Sequence, residues 1–228
     1  MSKFADSSGP TTATTATTLT LTKPAGTRQG DLLIAIVYMR DGSADQAMSG
    51  WTLQRTVNGG ASVMDTFLFF KVAGGSEPAT YDVTWTTSNA EAGGMILVYR
   101  GIDAADPIDI ELGQVGAVGS TYNISPTVTT TVAATIIRAA LPSNDSTGSG
   151  GNVQPPTPDD AIPSSLTKRH HSVDALNMVW AITDVVQATP GATGDLTWGY
   201  ELPSAGRRAS FWTIAVEQGR LGASAVLS

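Results

Sequence analysis

The segment DLLIAIVYM, residues Asp31 to Met39, is almost continuously apolar and rich in branched side chains. A strand with one solvated face alternates apolar and polar residues, whereas a strand covered on both faces reads as an unbroken apolar run. The segment therefore predicts a central β-strand that is buried on both faces.

Further strand candidates lie on both sides of this segment. Leu and Thr alternate from Thr18 to Thr22, which is typical of a half-buried strand. The later candidates are Trp51–Val57, Ser62–Val72, Thr80–Thr86 and Gly94–Arg100, the first two joined by the turn signal Asn58-Gly59-Gly60. No segment with helical periodicity interrupts the series. We therefore expect an all-β fold, a two-sheet jelly-roll-like β-sandwich.

The second half of the chain repeats these blocks in the same order, which predicts an internal duplication. Leu196-Thr197-Trp198 mirrors Val83-Thr84-Trp85, and Ala209–Val216 mirrors Gly94–Tyr99. The other counterparts are Thr127–Thr131, Thr135–Leu141, Leu166–His170 and Ala175–Thr183. The pseudo-repeats cover about 18–102 and 127–218. Since about five strands cannot bury both faces of their own sheet, we expect both halves to share one core in a single domain, residues 18–218.

Three segments fall outside this strand pattern. Residues 1–17 are mostly Ser, Thr, Ala and Gly, with Phe4 as the one large anchor, so they predict a flexible N-terminal arm. Residues 219–228 form a small-residue C-terminal tail. The Gly/Pro/Ser-rich loop Pro142–Pro163 exceeds the length of ~15 residues that compact domains usually allow, so we expect partner contacts there, at Asn152 and Gln154.

Composition disfavours several classes of partner. The formal net charge is -7 and the pI near 4.6, and the 13 basic residues are scattered, which argues against nucleic acid and against an anionic membrane surface. Cys is absent, so disulfides and thiolate metal sites are excluded. The N-terminus lacks the apolar core of a signal peptide, and no run approaches the ~20 apolar residues of a membrane span. We therefore expect synthesis and folding in the cytoplasm.

The residues that could carry catalysis do not form a recognisable site. The two histidines, His170 and His171, are adjacent and would point to opposite faces of a strand, and no G-x-S-x-G elbow is present. The aspartates near Asp103 and Asp109 favour turn formation over Ca²⁺ binding, since EF-hand spacing is missing. A pair of glycosidase carboxylates stays open, because their separation cannot be read from sequence. We expect no enzyme activity, no metal and no cofactor.

The five tryptophans raise the alternative of carbohydrate binding, since sugar faces stack on exposed aromatic rings. Trp85 and Trp198 occupy equivalent places in the two halves, and Trp180 and Trp212 lie within apolar strands, so these four favour the core. Trp51, at a loop edge, is the candidate for an exposed contact residue.

Four motifs connect the chain with a known family: GDLLIAIV at Gly30–Val37, GWTL at Gly50–Leu53, FFKVA at Phe69–Ala73 and AGGMILVYRG at Ala92–Gly101. The series resembles a β-sandwich module of tailed-phage virion proteins and of bacterial surface proteins. The resemblance extends over roughly Thr18 to Gln218. These motifs are turns and core strands, so they transfer no catalytic residue.

The resemblance implies a virion structural protein, most simply a capsid decoration or cement subunit that stabilises a phage head. Its expected partners are the major capsid protein and its own copies, with a trimer favoured, and its expected location is the capsid surface. The alternative is a glycan-binding module of a tail fibre or surface adhesin, with a cell-surface glycan as its partner, resting on Trp51 and on the loop Pro142–Pro163.

Overall fold

The computed structural model describes residues 2–40, 45–59, 64–86, 90–115, 123–142, 166–198 and 209–219. Throughout these ranges the regular structure is β-strand, without a helix, which confirms the predicted all-β class. The strands are β1 Lys3–Ser7, β2 Thr11–Ala16, β3 Thr18–Thr22, β4 Leu32–Arg40, β5 Ala47–Met48, β6 Thr52–Val57, β7 Met64–Val72, β8 Thr80–Thr84, β9 Ala90–Arg100, β10 Ile108–Val115, β11 Asn123–Ser125, β12 Ala134–Pro142, β13 Thr167–Val173, β14 Val179–Gln187, β15 Leu196–Trp198 and β16 Ala209–Glu217.

Within the described residues, the strands form two large and two small antiparallel sheets. The first large sheet has the order β1-β9-β4-β7-β6, and β2 also pairs with β9. The second large sheet has the order β10-β16-β12-β14-β13. The small sheets are β3-β8-β5 and β11-β15.

The main core lies between the inner faces of the two large sheets. The first sheet contributes residues such as Ile34, Tyr38 and Leu97, and the second contributes residues such as Ile137 and Trp180. Apolar side chains from both sheets interdigitate here, as in other face-to-face sheet packings. This shared core joins the two halves of the chain.

Strand β4 confirms the prediction drawn from the segment Asp31–Met39. All of its residues are buried. Leu32, Ile34, Ile36 and Tyr38 belong to the core between the large sheets, whereas Leu33, Ala35, Val37 and Met39 belong to a second core under the sheet β3-β8-β5. The unbroken apolar run is therefore explained by cover on both faces.

The number of layers differs from the two sheets expected. The sheet β3-β8-β5 covers the outer face of the first large sheet, and β15 contributes Leu196 and Trp198 to a core on the outer face of the second. Each half thus covers the outer face of its own large sheet, and the inner face is covered by the other half. The apolar outer faces require this extra cover, because leaving them in water would cost the free energy of their burial.

The two large sheets have matching strand orders. When the orders β1-β9-β4-β7-β6 and β10-β16-β12-β14-β13 are read side by side, β9, β4, β7 and β6 stand at the same positions as β16, β12, β14 and β13, the strands that the sequence repeat pairs with them. The last strand of each order also has a register shift at a similar place, between Leu53 and Arg55 in β6 and between Lys168 and His170 in β13. The match agrees with the internal repeat expected from the sequence, which stays a prediction, as does the jelly-roll description.

The sheets stack with reversed strand order, so that the last strand of one lies beside the first strand of the other. Arg55 of β6 pairs with Glu111 of β10 (Nε to Oε1, 2.9 Å), and the Arg169 guanidinium of β13 lies 5.3 Å from the ring centre of Phe4 in β1. The arrangement is reciprocal between the halves.

The N-terminal residues do not form the free arm that composition suggested. Lys3–Ser7 and Thr11–Ala16 are strands that pair with β9 of the same chain. Composition misleads here because main-chain hydrogen bonds to a sheet edge depend little on side-chain type. Of the predicted loop Pro142–Pro163 the structure describes only Pro142, so Asn152 and Gln154 lie outside the described residues, as does the tail after Gly219.

Candidate binding surfaces

Trp51 lies at the edge of the outer core of the first half. It is half-buried, and its ring meets that of Tyr81 in a T-shaped contact with the centroids 5.1 Å apart. Lys71 also lies 5.4 Å from the centre of the Tyr81 ring. Trp51 is therefore engaged within the fold, in contrast to the exposed position expected of a sugar-stacking residue.

Phe4 anchors β1 between the two halves of the molecule. Its ring contacts Tyr99 of β9 edge-on, with the centroids 5.7 Å apart, and lies under the Arg169 guanidinium. It packs against the main core. The structure therefore places Phe4 in contacts within the chain, and its predicted contact with a partner stays a prediction.

The buried carboxylate of Asp184 binds both residues that contact the Phe4 ring. Asp184 accepts hydrogen bonds from the Tyr99 hydroxyl at 3.0 Å and from Arg169 Nε at 2.8 Å. Burial and then the nearby Asp184 raise the pKa of Tyr99, so its hydroxyl remains a donor. The cluster joins β1, β9, β13 and β14.

Asp174, in the turn between β13 and β14, forms a second tie between the halves. Its Oδ1 accepts the backbone N–H groups of Leu176 and Met178 at 2.9 and 3.0 Å. Its Oδ2 accepts the Tyr38 hydroxyl and Trp180 Nε1, both at 2.9 Å. Burial and then Asp174 raise the pKa of Tyr38. This carboxylate is fully occupied by structural bonds.

The two histidines lie on opposite faces of β13, as their adjacency predicts. The cross-strand partner of His170 is Ile182 of the main core, and that of His171 is Ala181 of the outer core. His170 Nε2 lies 2.7 Å from Ser172 Oγ. Burial is the main cause that lowers both histidine pKa values. Throughout the described residues, no three His, Cys, Asp or Glu side chains are grouped to hold a metal.

The aspartates that the sequence placed in turns form hydrogen bonds within the fold. Asp109 accepts the N–H and the hydroxyl of Thr131 at 2.8 and 2.5 Å, and Asp103 Oδ1 accepts the N–H of Ala105 at 3.0 Å. The contact of Asp103 is the turn-stabilising one that the sequence favoured. Asp109 instead lies at the start of β10 and ties that strand to Thr131.

Arg138 is a buried residue that sequence reasoning missed. It lies in the middle of β12, 4% exposed, on the outer face of the second large sheet. Its Nη1 and Nη2 donate to the carbonyls of Ser125, Pro126, Thr193 and Gly194 over 2.6 to 3.2 Å. Burial lowers its pKa to about 10, which leaves it charged at neutral pH. The available signal was the single charge within the apolar run IIRAAL.

A cavity of about 230 Å³ lies beside Arg138 on this outer face. Its apolar wall is formed by Ile136, Leu166, Val185 and Leu196, and its polar side by Arg138, Gln187, Thr193 and Asp195. Another cavity, of about 300 Å³, lies between the turns that contain Arg28 and Glu77.

Glu77 of the second cavity is itself tied to the fold. It accepts hydrogen bonds from Lys71 Nζ at 2.8 Å, from the Tyr81 hydroxyl at 2.6 Å and from the Gly74 N–H at 2.6 Å. Burial alone would raise the pKa of Glu77, but these bonds outweigh burial and lower it. The carboxylate therefore stabilises its turn.

The last strands of the two large sheets expose apolar side chains. Leu53 of β6 is 43% exposed and Val173 of β13 is 40% exposed. Val186 of β14, a strand with neighbours on both sides, is 43% exposed. Two of these three residues therefore lie at sheet edges, where another chain could add a strand.

Comparison with known proteins finds no matching family model, no matching curated protein and no matching solved structure. The resemblance to phage virion modules therefore rests on the sequence motifs alone. In the part of the chain that the structure describes, no helix is long and apolar enough to cross a membrane.

Proposed function

We propose that the protein is a virion structural subunit, a capsid decoration or cement protein located on the capsid surface of a tailed phage, and that it acts by binding other proteins and not by catalysis. The observation that supports this proposal is the exposure of Leu53 and Val173 on the last strands of both large sheets. Its partners are further copies of itself, as a trimer, and the major capsid protein.

Sheet edges suit such assembly because an edge strand presents a row of backbone N–H and C=O groups to a neighbour. The register shifts in β6 and β13 interrupt the regular geometry of these edge strands, which disfavours open-ended fibres. In a symmetric shell each short contact is repeated many times, so weak contacts add up to a stable assembly.

The test is solution mass by light scattering over a range of concentrations, together with cosedimentation with capsids of the source virus. Leu53→Lys and Val173→Lys place a charge on the proposed contacts. Val186→Lys is the matched control, because its exposure is the same but its strand is not at an edge. Deleting residues 1–17 would be a poor test, since it removes β1 and β2 from the first sheet.

We expect a trimer or capsid-bound protein for the unchanged chain, loss of either in the two edge variants and retention in Val186→Lys. A chain that stays monomeric at every concentration and does not cosediment with capsids contradicts the proposal. If all three lysine variants have the same mass and the same capsid binding, the sheet edges are not the contact surfaces.

The alternative function, a glycan-binding module of a tail fibre or adhesin, loses part of its basis. Trp51 is engaged with Tyr81, and the loop expected to carry contacts lies outside the described residues.

A further inference from the structure

The two halves differ in how they fill the space outside their large sheets. In the first half Leu53 pairs with Phe69 just before the register shift of β6, and in the second half Lys168 pairs with Thr183 just before that of β13. Counting back two residues from each pair makes Leu166 the counterpart of Trp51.

The position that faces Trp51 in the first half, Tyr81, also differs between the two halves. Val83-Thr84-Trp85 of the first half corresponds to Leu196-Thr197-Trp198 of the second, so the residue two before each block is Tyr81 in one half and Gly194 in the other. Gly194 has a φ of +68°, a backbone conformation that favours glycine. The aromatic pair of the first half is thus replaced by a leucine and a residue without a side chain.

This replacement explains the cavity of about 230 Å³ beside Leu166 and Leu196. Two rings fill the first half's counterpart of this space, whereas the second half has no ring at either position. The wall formed by Ile136, Leu166, Val185 and Leu196 is apolar. A cavity of this volume has room for several water molecules, and its apolar wall can pack against carbon atoms of a ligand.

The cavity also has two polar groups with unused bonding capacity. Arg138 donates through Nη1 and Nη2, and no hydrogen bond within the described residues involves its Nε. Asp195 accepts the N–H and the hydroxyl of Thr127 on Oδ1, and no such bond involves its Oδ2. A ligand would therefore meet one N–H donor and one carboxylate acceptor beside the apolar wall, together with the polar side chains of Gln187 and Thr193.

We infer that this cavity binds a single sugar ring. A sugar ring presents a C–H face to apolar side chains, and its hydroxyls both accept and donate hydrogen bonds, so neighbouring hydroxyls match Arg138 and Asp195. The volume is below the range of roughly 300–1,000 Å³ that is typical for drug-sized ligands, which favours one ring over an oligosaccharide. The inference goes beyond the proposed assembly role and does not depend on it.

The test is a titration of the full chain, followed by ¹H–¹⁵N chemical shifts, with glucose, galactose, mannose and N-acetylglucosamine as separate probes. We expect at least one sugar to bind with a millimolar dissociation constant and to shift amide signals of β12, β14 and residues 193–196. Leu166→Trp restores the ring of the first half and should abolish binding.

Asp195→Asn provides the second variant, because it retains Oδ1 for Thr127 but replaces the carboxylate oxygen at Oδ2 by an amide donor. We expect it to weaken binding about tenfold, the effect of losing one hydrogen bond to a charged group. Asp82→Asn is the control: Asp82 is an exposed carboxylate on β8 that accepts the Thr20 hydroxyl at 2.7 Å, and its replacement should leave binding unchanged.

Either of two results overturns the inference. One is the absence of chemical-shift changes with all four sugars, each at a concentration about ten times the expected millimolar dissociation constant, while the chain retains the dispersed spectrum of a folded protein. The other is binding that persists unchanged in both Leu166→Trp and Asp195→Asn, which would place the sugar elsewhere. Neither result touches the assembly proposal, whose test measures mass and capsid binding.

Discussion

Replacing Asp174 by asparagine tests whether a buried carboxylate joins the two halves of the molecule. Asp174 is 9% exposed and accepts four hydrogen bonds. Two of them come from backbone N–H groups of its own turn. The other two come from Trp180 Nε1 and from the hydroxyl of Tyr38, which belongs to the other large sheet.

The expected cost follows from the donors that asparagine cannot satisfy. With its Oδ1 on the backbone N–H groups, the new amide NH₂ faces Trp180 Nε1–H, which can only donate, while the Tyr38 hydroxyl can turn to accept. The opposite amide orientation leaves both backbone donors without an acceptor. A bond to a charged group contributes about 1.5–3 kcal/mol and an orphaned buried donor costs about 1–3 kcal/mol, so we expect a loss of about 3–5 kcal/mol.

The assay is the free energy of unfolding in urea, compared at equal slope m for all variants. Tyr38→Phe removes one bond to the carboxylate and leaves it with three and no orphaned donor, so it should cost about 1.5–3 kcal/mol. Asp82→Asn, a change at an exposed carboxylate, should stay within about 0.5 kcal/mol of the unchanged chain. The reasoning is refuted if Asp174→Asn costs less than about 1 kcal/mol, or no more than Tyr38→Phe.

Three further predictions concern the remaining ties of the fold. Phe4→Ala should cost about 2–3 kcal/mol, because Phe4 is half-buried, and should speed amide exchange in β1; a loss below about 1 kcal/mol would contradict its anchoring role. Gly113→Ala should cost about 1–3 kcal/mol in urea unfolding, since its Cβ would lie 2.5 Å from a side-chain carbon of the facing sheet, whereas Gly9→Ala, with open space around it, should be neutral. The histidine pKa values are lowered from 6.5 on folding, so around that pH the unfolded chain binds more protons than the folded one, and the free energy of unfolding should fall as pH decreases from about 7.5 to about 5.5. Replacing both His170 and His171 by Gln should flatten this pH dependence. An unchanged pH dependence in that variant would show that the histidines do not cause it.

The strands with strong hydrophobic patterns were predictable from sequence. The alternation of Thr18–Thr22 appears as β3, with Leu19 and Leu21 buried and the threonines exposed. The tryptophans assigned to the core, Trp85, Trp180, Trp198 and Trp212, are all buried. These predictions succeed because a period of two, or an unbroken apolar run, reflects which faces of a strand are covered.

The surfaces and polar ties were much harder to predict. Trp51 was expected to be exposed because it follows a turn, but its contact with Tyr81 depends on a strand that comes 30 residues later. Arg138 interrupts an apolar run, and nothing local shows that it will meet four carbonyls from two separate segments, at 125–126 and 193–194. Phe4 had no periodic pattern around it to indicate a strand.

The sequence by itself determined the all-β class and the burial of its central strand on both faces, because side-chain periodicity is a local property of the chain. Only the tertiary structure decided that the strands it describes form four sheets, that the N-terminal residues complete one of them, and that Tyr38 meets Asp174 at a separation of 136 residues. Such pairings depend on the shape and hydrogen-bonding capacity of surfaces that come together only on folding, so no local pattern encodes them.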